Sequence, residues 1–198
     1  MKSFYKAGVT PQQKLVAVNN KFGNSSIKDQ QGTTRLIYDT LPLSGTSAKT
    51  LRFFEDSASR QFPFSNTGSD GNKLGVGNTM VIESISFQIL TYDTVNARFD
   101  AIALPTTVPA IQAGLINFEI ANNRVIKNLS MYEITNAFDK NVGATNDSTI
   151  ELETDIVIPP LLNFVCQVQI PYYAGVANTY LRCIINGAGG IIAPRTTF

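Results

Sequence analysis

The carboxylates are the first place to look for chemistry, because the 198-residue chain contains no histidine. Without imidazole, the commonest general base, the usual Ser and Cys triads and nearly all zinc, copper and non-haem iron sites are ruled out. Two carboxyls facing one cleft could still hydrolyse a glycosidic bond. The candidates are Glu83, Glu119, Glu133, Glu151 and Glu153. Glu151 and Glu153 alternate with Ile150 and Leu152 in STIELETDIVI, so a strand there turns both toward solvent. The expectation is a non-enzyme without cofactor or metal, with a histidine-free glycosidase as the competing reading. INGAGGII (185–192) lacks the Lys-Ser/Thr ending of a phosphate loop and reads as a terminal turn where backbones pack closely. Asp56 and Asp70 lack the ordered acidic spacing of a calcium-binding loop.

Other residue types point to binding. RFFEDSASRQFPF (52–64) interleaves Phe53, Phe54, Phe62 and Phe64 with Arg52 and Arg60. Such interleaving can stack single-stranded nucleic acid. The preferred reading places Phe53 in the core and makes Phe54, Phe62 and Phe64 pack a corner or subunit contact. Tyr172 and Tyr173 follow a strand-like run and suit either a subunit contact or a sugar-binding surface. Cys166 and Cys183 both fall in apolar runs, as buried free thiols do.

The elements that must position these residues are strands. Hydrophobic residues make up 43% of the chain and charged residues 16%, below the usual quarter, which fits a fold of many strands and turns. TLRFF puts Leu51 and Phe53 on one face. In TMVIESISFQILTYD (79–93) the apolar parity switches from Met80 and Ile82 to Ile85, Phe87 and Ile89, the mark of a β-bulge or bend. NARFDAIAL (96–104), LINFEIANNRVI (115–126) and TYLRCIING (179–187) supply further strands, while NLSMYEITNAF (128–138) suits a strand or a short helix. Ile150, Leu152, Ile156 and Ile158 share a face, and Leu162, Phe164, Cys166, Val168 and Ile170 continue the same parity beyond Pro159-Pro160. Prolines stop the hydrogen-bond ladder, so the pair predicts a corner that carries one inward face from one packed sheet to another. Strands at this spacing argue for an antiparallel sandwich or barrel.

Residues 1–49 read as an extended N-terminal arm before a β-sandwich at 50–198. KLVAV (14–18) and TRLIYDT (34–40) are short strand candidates within it, neither long enough to fold alone. The arm holds seven bases against two acids, a surplus of five that leaves the body at −4 within the net +1. Lys2, Lys6, Lys14, Lys21, Lys28 and Arg35 are the candidate arm contacts to neighbours or nucleic acid. They are scattered singly, as in an ordinary solvated segment. The N-terminus shows no signal-peptide core, and no run approaches 18 apolar residues, so the expectation is cytoplasmic synthesis without a membrane span.

IVIPPLLNFVCQVQIP followed by YLRCIINGAGGII resembles the closing strands of viral jelly-roll structural proteins, and RFFED, RQFPF and NKLGVGNTMVIESISF are similar to small virion proteins of bacteriophages. The resemblance spans roughly residues 50–192. It implies a single jelly roll of two facing four-stranded sheets, assembled with copies of itself (a trimer or larger) and other proteins in a virion. It further implies an arm that tethers subunits or faces packaged nucleic acid, and the modest charge of residues 1–49 favours tethering. A carbohydrate- or receptor-binding sandwich is the alternative.

Overall fold

The structure is a computed structural model that describes residues 13, 30–43, 48–68, 71–75, 77–101, 113–131, 147–171 and 178–192. Among the described residues there are nine strands: β1 (Gln30–Pro42), β2 (Lys49–Phe53), β3 (Thr79–Asp93), β4 (Arg98–Ala101), β5 (Leu115–Ile120), β6 (Asn123–Ser130), β7 (Asp147–Ile158), β8 (Phe164–Ile170) and β9 (Thr179–Ile192). One sheet runs β1-β9-β3, with β7 and β4 sharing the far edge of β3; the other runs β2-β8-β5-β6. All pairings between these strands are antiparallel, and the isolated bridge Leu74↔Pro160 is parallel. Setting aside the short β4, eight strands form two facing four-stranded sheets in which consecutive strands repeatedly cross from one sheet to the other. That is a jelly roll.

Alternation along each strand builds the core. Met80, Ile82, Ile85, Phe87 and Ile89 of β3, Leu181, Cys183 and Ile185 of β9, and Phe164, Cys166, Val168 and Ile170 of β8 are all buried. The parity switch in β3 is a bulge: pairing with both β7 and β9 shifts between Ile82 and Ser84, leaving Glu83 unpaired and exposed. Gly187 sits against that bulge, and a Cβ on it would lie 1.9 Å from the Val81 carbonyl oxygen. The glycine-rich run 185–192 is therefore not a terminal turn. It is the second half of β9, and close backbone packing is what its glycine at 187 permits.

The double proline lies between β7 in one sheet and β8 in the other, with Ile158 and Phe164 buried on either side. Because the prolines contribute no N–H, the corner is tied by its neighbours. Leu161 N–H donates to the Leu74 carbonyl (2.8 Å), Phe164 N–H to Asn72 O (3.0 Å), and Asn163 O accepts from Ala121 N–H (2.6 Å). Leu162 departs from the expected inward row. It is 38% exposed, because it precedes β8, which begins at Phe164, and follows Leu161 with its positive φ of 63°.

Three boundaries differ from expectation. Residues 30–42, assigned to the arm, form β1 and pair with β9 from Gln30↔Ile192 to Pro42↔Tyr180. A segment too short to stand alone is stable once a long partner supplies its ladder. LINFEIANNRVI is a hairpin of β5 and β6, turned at Ala121 with φ 53°. In the 128–138 stretch, β6 continues to Ser130 and Met131 is helical; the remainder lies outside the described residues, as does 14–18.

Candidate functional site

The most elaborate polar arrangement surrounds the outer edge of β1. Asp39 occupies an inward position between Ile37 and Leu41, opposite Cys183, and is fully buried. A buried carboxylate needs donors and a counter-charge. Arg60 provides a two-pronged contact, Nε to Oδ1 at 2.8 Å and Nη2 to Oδ2 at 2.6 Å. Thr40 N–H (3.1 Å) and Phe54 N–H (2.7 Å) complete the shell. Residues 54–67 thus leave the core at Phe54, reach Asp39 through Arg60, and turn along β1. There Asn66 imitates a neighbouring strand: its Oδ1 accepts from Tyr38 N–H (2.7 Å) and its Nδ2 donates to Leu36 O (2.9 Å). The segment clasps an edge that would otherwise offer free backbone groups.

The clasp continues onto the outer face of the β1-containing sheet. Phe64, Tyr92, Phe99 and Tyr180 pack together there, with ring centroids 4.9–6.2 Å apart and every pair in contact. Arg182 lies beside them, 4.4 Å from the Tyr38 ring centroid and 4.9 Å from that of Phe99. It donates to Thr40 Oγ1 (2.9 Å) and to the Pro63 carbonyl (3.0 Å). Burial lowers the pKa of its guanidinium, against an opposing effect of Tyr38. Beyond this cluster Phe62 projects into solvent, 83% exposed, at the rim of a groove of about 460 Å³ lined by Arg60, Gln61 and Asn66.

The residues expected to contact neighbours separate accordingly. Phe62 is a surface residue. Phe64 is half-buried in its own chain's aromatic cluster. Phe54 cannot make a subunit contact: it is 0% exposed and packs on Phe164, 5.3 Å between centroids. Its positive φ of 71° breaks the strand alternation, so its ring turns inward like that of Phe53 while its N–H donates to Asp39. Phe53 is core, as expected. Arg35 belongs to β1, opposite Gly187, and not to an arm. Tyr172, Tyr173, Lys2, Lys6, Lys14, Lys21 and Lys28 lie outside the described residues.

Of the carboxylates weighed for catalysis, Glu83 is exposed at the bulge, while Glu119 lies on the other sheet and pairs with Arg124 at 2.9 Å. These two therefore face no common cleft. Glu133 and the side chains of Glu151 and Glu153 lie outside the described residues. Among the described residues no group of three or more His, Cys, Asp or Glu side chains could hold a metal ion, and no helix is long and apolar enough to cross a membrane. Sequence reading missed Asp39 and Arg182. The signal for Asp39 was an acid between Ile37 and Leu41 on one face of the strand candidate 34–40, but its partner Arg60 lies 21 residues further on.

No family model and no curated protein matches the chain. Among solved structures it is similar to the major capsid protein P2 from bacteriophage PM2, at 9% identity and a TM-score of 0.36, over 86% of this chain and 48% of that one. The chain thus spans about half the length of that capsid protein.

Proposed function

We propose that the chain is a structural component of a phage virion, a capsid or capsid-associated protein that binds copies of itself and other virion proteins and catalyses no reaction. The observation that carries this reading is the jelly roll itself. Its polar features, the Asp39–Arg60 pair and the edge clasp, hold the chain together, and the clasp sets Phe62 out on the surface. Folds host many functions, so the reading is judged on assembly. Mass spectrometry of purified virions should find the protein at a fixed, high copy number. Light scattering after size-exclusion chromatography should show a trimer or larger, and a strict monomer at high concentration counts against it. Phe62→Glu should weaken self-association while changing stability by no more than about 0.5 kcal/mol, because an exposed side chain contributes little to folding. Residues before Gln30, with Lys2, Lys6, Lys14, Lys21 and Lys28, are assigned to tethering subunits in this reading. A salt-sensitive shift of nucleic acid by the full chain would reassign them to the genome.

A further inference from the structure

Cys166 and Cys183 come from opposite sheets, β8 and β9, and both side chains are fully buried. Cys166 pairs in register with Phe53 on one side and Phe118 on the other. Cys183 pairs with Phe87 and Asp39. Phe53 and Phe87 meet across the core, 6.1 Å between centroids. The two cysteines therefore stand in one layer of the sandwich, facing each other across it. We propose that they form a latent disulfide that staples the two sheets when the chain meets a disulfide oxidant such as oxidised glutathione.

The chemistry is thiol–disulfide exchange. One cysteine thiolate attacks oxidised glutathione, forming a mixed disulfide and releasing one glutathione thiolate. The second cysteine sulfur displaces the other glutathione. Two cysteines lose two electrons, glutathione disulfide gains them, and both thiol protons end on glutathione. Burial, contact with the Cys166 thiol and the charge of Asp39 all push the Cys183 thiol well up, so the closed sandwich resists attack. The exchange runs while the sandwich is open, during folding or transient separation of the sheets. The large phenylalanines of the layer oppose closer approach of the sheets, whereas the cross-link restricts the unfolded chain. The balance is measurable.

The full chain is refolded from urea in a glutathione redox buffer, and a second sample is held in concentrated urea in the same buffer. After acid quenching and thiol trapping, the Cys166–Cys183 cross-link is quantified by peptide mass spectrometry. If the native layer favours the bond, the oxidised-to-reduced ratio is at least about tenfold higher in the refolded protein than in urea, because folding and cross-linking reinforce each other equally. The oxidised chain also unfolds at higher urea, dithiothreitol reverses the gain, and Cys183→Ala shows no response to oxidant. An equal or lower ratio after refolding, an oxidised chain that unfolds earlier, or cross-links solely between chains would overturn the proposal. A failure here leaves the virion reading untouched, since assembly is read independently of thiol state.

Discussion

At the scale of single residues, Asp39 decides the most. Its carboxylate is sealed inside, while the Arg60 side chain remains 22% exposed and its charge stays partly solvated. Removing either partner strands the other, but not equally. Arg60→Ala leaves a carboxylate with only backbone donors and should cost about 4 kcal/mol, whereas Asp39→Ala leaves a cation near solvent and should cost about 3. Replacing both, as Asp39→Leu with Arg60→Met, should cost less than either single change, because no charge is left buried. Urea denaturation of the three variants checks the order, and a double variant worse than both singles refutes it. The Thr79 hydroxyl is the reverse case. Among the described residues it has no hydrogen-bond partner although it is buried, so Thr79→Val, which keeps the β-branched shape, should raise stability by about 1 kcal/mol in the same assay.

At the scale of elements, β3 and β9 are matched by one defect each. The bulge at Glu83 brings the Val81 carbonyl toward β9, and only a residue without Cβ fits at 187. Gly187→Ala must separate two central strands or erase the bulge, at an expected cost of 4 kcal/mol or roughly more, among the largest for one substitution. Gly68→Ala meets nothing within 4 Å among the described residues and suffers its positive φ of 60°, so about 1–2 kcal/mol is expected. Thermal midpoints that put the two variants close together would contradict the close-approach account. The bulge and the proline corner were legible in the sequence because both alter parity or remove a donor, which are local facts. The β5–β6 hairpin was not, since its turn uses Ala121 with φ 53°, a conformation alanine does not announce. Arg182 was likewise hidden, because its partners Tyr38, Thr40, Pro63 and Phe99 are brought together only by the sheet and the clasp.

At the scale of the whole molecule, the question is where the self-sufficient body begins. Charge and turn composition drew the line at residue 50, since neither segment before it could fold unaided. Long-range pairing moves it to Gln30, as β1 runs the length of β9 and brings Asp39 into the core. A chain starting at residue 50 would expose the β9 edge and leave Arg60 without its carboxylate and Asn66 without the Tyr38 and Leu36 backbone it caps. Such a truncation should not fold cooperatively. A chain starting at residue 30 keeps every one of these contacts and should melt within a few degrees of the full chain. If the first 29 residues tether subunits, this shorter body should also sediment as a smaller species than the full chain. Calorimetry and sedimentation on the two truncations separate the roles: a residue-50 chain that melts cooperatively removes β1 from the body, and a residue-30 chain that assembles normally removes tethering from the arm.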